Sequence, residues 1–222
     1  MYDFFDIINN KFGVSVVTRY FRNNEGTTDY ATLDSPVPLT ADFDIDLILQ
    51  RNTASNTAFL GGDNSTRAFQ LTSNGIEFSN VTGGVLFANA LTGIANGSLF
   101  SCKIKRVSGV LTATVLGVDY PGNVTNAGTY SISVLLANQV MGSNTVGVMA
   151  DLRISAAGPP IHFWPINDNG NTFADSIGGN NATLVNPDPD DWGFFTEQPA
   201  LWKGQDLVVP PWASVDQELL KA

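Results

Sequence analysis

Apolar and polar positions alternate along most of the chain. In "FDIDLILQ" (43–50), Phe43, Ile45, Leu47 and Leu49 share one side and the aspartates take the other. In "LFSCKIKRV" (99–107), Leu99, Ser101, Lys103 and Lys105 share one face, and Phe100, Cys102, Ile104 and Arg106 share the other. A period of two belongs to a strand with one buried face. Similar runs recur in "GVSVVTRYF", "AFQLTSNGIEFS", "VLTATVLGV", "YSISVLLA" and "VGVMADLRIS", with Gly, Asn, Ser and Pro between them. Many short strands at near-regular spacing predict an all-β sandwich or barrel.

Turn chemistry supports the pattern. Asn74-Gly75 lies between "AFQLTS" and "IEFSN", and Ser108-Gly109 between "CKIKRV" and "VLTATVLG". Both predict hairpins whose two turn residues adopt positive φ. Helix cues are confined to the ends. "DFFDIINNKF" gathers Phe4, Ile7, Ile8 and Phe12 roughly on one side, and "SVDQELLKA" opens on Ser214 with acids early and a lysine late. Between them, residues 186–212 hold Pro187, Pro189, Pro199, Pro210 and Pro211, with Trp192, Trp202 and Trp212 ten apart. Proline bars pairing inside a sheet, so this stretch reads as an irregular arm. The expected division is an N-terminal attachment segment with the first strand (1–25), a sandwich (26–186), and a Trp/Pro-rich docking arm ending in a short helix (187–222).

Composition narrows the partners. The chain has 222 residues, enough to bury a core without staples. Only 14% of residues are charged, well under the usual quarter or so, so Asn, Ser, Thr and Gly must supply the polar surface. Net charge is -10 and the pI is near 4.3, which disfavours nucleic acid and anionic membrane as partners. Cys102 is the single cysteine; no intrachain disulfide forms, the residue reads as a small core side chain, and a disulfide-built secreted module is disfavoured. "MYDFFDIINNKF" lacks the basic and long apolar regions of a signal peptide. No run approaches the ~18–20 apolar residues of a membrane span. The expectation is a soluble chain made in a cytoplasm.

The order of four stretches resembles the concanavalin A-like lectin/glucanase superfamily in its laminin-G-like form. They are "DYATLDSPVPLTADFDIDLILQR", "FLGGDNSTRAFQLTSNGIEFS", "LTGIANGSLFSCKIKRVSGVLTATVLGVD" and "NTVGVMADLRIS", together covering roughly residues 26–157. "FWPINDNGNTFADSIGGNNATLVN" is similar to the hairpin that usually opens such a domain, yet here it follows the closing strand. It is expected to complete the sandwich in permuted order or to form an added hairpin. The resemblance implies a two-sheet antiparallel jelly-roll sandwich with short N-terminal and Trp/Pro-rich C-terminal extensions. With the tail "DWGFFTEQPALWKGQDLVVPPW", the whole is also similar to modules of bacteriophage virion proteins.

Several residues are candidates for chemistry. Asp42, Asp44 and Asp46 alternate, so a strand points all three one way. Retaining glucanases of the superfamily carry alternating acids on one strand and need two carboxyls ~5–5.5 Å apart. Their outer acids are glutamates, however, and these shorter aspartates read as solvated. No catalytic residue is therefore assigned. His162 is the lone histidine and reads as structural, because zinc needs several N or S ligands. Calcium takes oxygen ligands, and lectins of this superfamily often use it; Asp168, Asn169, Asp175 and Asp188 are the candidates, although Asp and Asn are also ordinary turn residues. No other cofactor is expected. Trp164 and Trp192 are candidate glycan-stacking faces. Phe4, Phe5, Trp202 and Trp212 are candidate partner-docking anchors.

The expected function is that of a non-enzymatic virion structural protein of a tailed phage. Such a protein would decorate the capsid or attach to the tail, form a homo-oligomer and contact other virion proteins, and its exposed sandwich would contact host-surface glycan. A free-standing carbohydrate-binding module is the alternative, and a glycoside hydrolase using Asp42, Asp44 and Asp46 the third reading.

Overall fold

The computed structural model describes residues 18–23, 30–51, 57–62, 68–79, 84–123, 128–137, 147–166, 171–186 and 192–195. Among the described residues sixteen strands follow one another: β1 (Thr18–Asn23), β2 (Tyr30–Leu39), β3 (Phe43–Gln50), β4 (Thr57–Gly61), β5 (Ala68–Leu71), β6 (Ile76–Ser79), β7 (Val85–Phe87), β8 (Leu99–Val107), β9 (Val110–Val115), β10 (Val118–Pro121), β11 (Tyr130–Leu135), β12 (Gly147–Ser155), β13 (Pro160–Trp164), β14 (Thr172–Phe173), β15 (Ala182–Val185) and β16 (Trp192–Phe195). They form two eight-stranded antiparallel sheets. The first runs β10-β9-β8-β3-β12-β1-β16, with β13 also on β12; the second runs β14-β15-β2-β11-β4-β5-β6-β7. This is an all-β, two-sheet antiparallel sandwich, as the alternation and the resemblance implied. No helix among the described residues is long and apolar enough to cross a membrane.

The core lies between the inner faces. β3 buries Phe43, Ile45, Leu47 and Leu49, and β8 buries Phe100, Cys102 and Ile104, as the period of two required. Across the gap, Phe69 stacks on Phe78 with centroids 4.6 Å apart, and Tyr130 meets both rings edge-on. The Tyr130 hydroxyl donates to the Leu60 carbonyl at 2.9 Å, satisfying the one polar group of this cluster. Pro36 and Pro38 lie within β2, but β15 ends its pairing at Leu33, so the prolines sit where only β11 adjoins and proline is tolerated.

Two turns differ from expectation. Ser108 and Gly109 do adopt φ of 49° and 80°. Asn74 and Gly75 do not. Leu71 pairs with Ile76, which leaves a four-residue loop closed by Thr72, whose hydroxyl accepts from the Gly75 amide at 2.9 Å. Glycine is needed at 75 for space instead: a β-carbon there would lie 2.5 Å from the Phe87 carbonyl oxygen. "VLTATVLGV" is also not one strand. It turns at Leu116-Gly117, with φ of 49° and 81°, into β10.

The stretch expected to form a hairpin completes the sandwich instead by sending its strands to different sheets. β13 joins the first sheet beside β12, and β15 joins the second beside β2. Trp192–Phe195 pairs with β1 in the first sheet, so regular structure continues past the expected boundary at 186. The N-terminal "DFFDIINNKF" and the C-terminal helix predicted from "SVDQELLKA" lie outside the described residues.

Cys102 is buried, and burial pushes its thiol well above the usual range, with the Asp46 charge adding to the shift. A thiol reagent added to the native protein is expected to label nothing until denaturant opens the sandwich; stoichiometric labelling of the folded chain would contradict this placement.

Candidate functional site: the polar outer face of the first sheet

Where β3 turns its apolar positions inward, Asp44 and Asp46 come out on the opposite face, half-buried. Pairing registers then align one residue from each of six strands: Asp119 opposite Thr114, Thr114 opposite Lys103, Lys103 opposite Asp46, Asp46 opposite Arg153, and Arg153 opposite Phe163. At about 4.8 Å per strand this row is roughly 24 Å long. Lys105 opposite both Thr112 and Asp44 begins a second row beside it.

The rows are internally bonded. Lys103 Nζ lies 3.2 Å from Asp44 Oδ2 and 3.4 Å from Asp46 Oδ2. Thr114 donates to Asp119 at 2.6 Å. The Arg153 guanidinium sits over the Phe163 ring at 4.3 Å. Burial raises the Asp46 carboxyl above its usual range, against the opposing charge and hydrogen bond of Lys103. Burial alone would lower the Lys103 ammonium, but Asp46 and Asp44 outweigh it and hold the group above its usual value. Lys103 therefore stays charged. Asp42 stands apart: its Oδ1 accepts from the Ser108 amide at 2.7 Å and pins the β8–β9 turn. The face thus offers donors, acceptors and one aromatic ring along a line, with both central acids tied to a single ammonium.

The corner holding His162 serves the fold. Asp175 Oδ1 accepts from the amides of Phe163, Ile177 and Gly178 at 2.9–3.1 Å. Its Oδ2 accepts from Asn180 at 3.1 Å and lies 2.6 Å from His162 Nδ1. Burial would raise this carboxyl, but the bonds from His162, Phe163, Gly178 and Asn180 outweigh it and hold it well below the usual carboxylate range. A carboxylate has about four lone-pair sites, and here five donors fill them, so Asp175 has no capacity left for calcium. Its candidacy as a metal ligand is corrected on that ground. Trp164 is corrected too. It is fully buried, stacks on His162 at 5.2 Å and donates from Nε1 to the Asn180 carbonyl at 2.7 Å, so no sugar can reach its face.

No family model matches the chain, and no curated protein matches it either. Solved structures do. The chain is similar to domains LG4-5 of the mouse laminin alpha1 chain, at 18% identity and a TM-score of 0.48, over 65% of this chain and 43% of that one. It is similar to domain 4 of AbnA, an extracellular arabinanase from Geobacillus stearothermophilus in complex with arabinotriose, at 12% identity and a TM-score of 0.40, over 62% of this chain and 91% of that one. It is also similar to the enzymatically active domain of tailspike protein 2 of bacteriophage CBA120, at 11% identity and a TM-score of 0.39, over 57% of this chain and 24% of that one. The chain spans less than half of the laminin chain and about a quarter of the tailspike chain. The strand order above gives a two-sheet antiparallel sandwich.

The remaining candidates divide by position. Asp168, Asn169 and Asp188, and the anchors Phe4, Phe5, Trp202 and Trp212, lie outside the described residues. Trp192 is placed by its backbone alone, opposite Phe21. Among the described residues no three His, Cys, Asp or Glu side chains are grouped to hold a metal ion. Lys103, Arg153 and Phe163 were not singled out as site residues from sequence. Alternation already put Lys103 on one face of its strand, but only the register brings it between Asp44 and Asp46.

Proposed function

We propose that the chain is a non-enzymatic module of a tailed-bacteriophage virion, attached to capsid or tail, whose first-sheet outer face contacts host-surface glycan. The observation that carries the glycan part is the six-strand row of hydrogen-bonding groups from Asp119 to Phe163. The non-enzymatic part is supported by Lys103, which engages Asp44 and Asp46 together, so neither carboxylate stands free as a nucleophile. The virion part is supported by the sequence: low charge density, a polar surface of Asn, Thr and Gly, and a Trp/Pro-rich tail. Quantitative mass spectrometry of gradient-purified particles tests it. A copy number near that of the major capsid protein indicates decoration, a handful of copies indicates the tail, and absence removes the virion reading. For the glycan part, Lys103→Ala is expected to weaken binding on a glycan array about 10-fold or more, since a charge-assisted contact contributes ~1.5–3 kcal/mol. Hydrolysis of a β-glucan, lost in Asp44→Ala, would instead establish an enzyme.

A further inference from the structure

The row from Asp119 to Phe163 changes character at one end. Thr114 is bonded to Asp119, and Lys103 to Asp44 and Asp46. Arg153 differs. It is exposed, its guanidinium lies over the Phe163 ring at 4.3 Å, and among the described residues it makes no hydrogen bond. A guanidinium is rich in N–H donors, and an exposed cation–π contact holds it weakly. Beside Arg153 the surface turns apolar. Phe163 is half-buried, Ile161 is 39% exposed two residues along β13, and Ile177 is 54% exposed. Ser176 brings Ile177 alongside, because its amide donates to the Phe163 carbonyl at 2.8 Å. On the other side of Arg153, Asp46 lies directly opposite across the β3–β12 pairing. Its Oδ2 faces Lys103, yet the side chain is 45% exposed. The pairing of β12 is irregular on both sides of Arg153, with β3 between Ala150 and Arg153 and with β13 between Ile154 and Ser155. Such bulges re-aim side chains and recur next to active sites. A ligand at this end meets a carboxylate acceptor, then charged donors, then an apolar surface.

We propose that this end of the row is a subsite for a 2-acetamido sugar, a proposal that rests on the glycan reading above and narrows it. An acetamido group presents an N–H, a carbonyl and a methyl, which match the three surfaces in order. The N–H donates to Asp46. The carbonyl accepts from Arg153. The methyl packs on Phe163, with Ile161 and Ile177 at the rim. The guanidinium slides from the ring toward the carbonyl and exchanges a weak contact for a charge-assisted hydrogen bond. A hydroxyl on the same sugar carbon has no methyl to cover the apolar surface. Lys103 serves either sugar, so it sets affinity while Arg153 and Phe163 set selectivity.

Isothermal calorimetry of the purified chain with matched oligosaccharides tests the proposal. The pairs are chitotetraose against cellotetraose, and an N-acetylgalactosamine oligomer against a galactose oligomer of the same linkage. In at least one pair the acetamido member is expected to bind about tenfold or more tightly than its hydroxyl partner, the scale of one hydrogen bond to a charged group. Arg153→Ala is expected to abolish that preference and leave the thermal melt unchanged, because the side chain is exposed. Lys103→Ala is expected to weaken both members alike. Equal affinity within both pairs would overturn the subsite and leave the glycan reading standing. So would a preference that survives Arg153→Ala. If the wild-type chain binds no member of either pair, the subsite is overturned, and the absence of any bound glycan on an array would remove the glycan reading with it.

Discussion

Replacing Asp175 by alanine should lower the unfolding free energy by about 3–5 kcal/mol, read as a fall in Tm on the order of 10 °C or more. The carboxylate is fully buried as a side chain and receives the amides of Phe163, Ile177, Gly178 and Asn180 as well as His162. Its removal strands those donors, and an unsatisfied buried donor costs about 1–3 kcal/mol. The loop it organises also joins the sheets. Asn180 exchanges hydrogen bonds with Ser35 on β2 at 2.8 and 2.9 Å, while its carbonyl takes the Trp164 indole from the β13 side. The effect should depend on pH. The folded carboxyl is held below its unfolded value of about 3.9. Its contribution is therefore present above that value and lost as pH falls toward and through the folded one. Denaturant melts of wild type and Asp175→Asn across pH 2–7 check the sign, with the gap between the two closing as the solution is acidified. A constant gap would mean that the ionised form contributes nothing.

Arg106→Ala should cost about 3 kcal/mol, mainly through hydrogen bonds to backbone carbonyls. Arg106 is buried in the inward row of β8. Its Nε and Nη2 donate to the Ala41 carbonyl, Nη2 also to Leu39, and Nη1 to Gly128. The group lies 4.7 Å from the centre of the Phe43 ring. One side chain thus clamps the β2–β3 turn to the loop before β11. Hydrogen bonds to a charged group contribute about 1.5–3 kcal/mol, and the aliphatic stem adds packing. Arg106→Met separates the two parts, since it keeps the stem and loses the bonds. Arg106→Lys should recover little, because an ammonium cannot present the planar fork that meets several carbonyls. If Arg106→Met melts with wild type in a denaturant titration, the clamp is packing alone.

Arg106 also shows how far alternation reads. Its inward position follows from the period of two, but nothing in "KIKRV" says that a charge placed among Phe100, Cys102 and Ile104 will find three carbonyls from distant loops. Arg51 is a second case. It is buried, and its guanidinium donates to the Thr72 carbonyl at 3.1 Å and to that of Ser73, bracing the β5–β6 turn from the end of β3. A turn-and-carbonyl partner leaves no mark on composition or spacing.

Local chemistry by itself determined the strands β3 and β8, the inward burial of Phe43, Ile45, Leu47, Leu49 and Cys102, the positive φ at Ser108-Gly109 and the all-β class. Each depends on neighbours two to four residues away, where side-chain period and turn sterics act. Tertiary pairing alone decided the rest. Register set Lys103 between Asp44 and Asp46 and drew the row from Asp119 to Phe163. Packing turned Trp164 from an apparent sugar platform into core, because β13 lies against β12 with that face inward. Asp175 resembled a calcium ligand in a loop of Asn and Gly until the folded loop brought four amides and His162 onto its oxygens. Contacts over such separations depend on which strands adjoin, and the two-residue period of a single strand is the same whichever neighbour it meets.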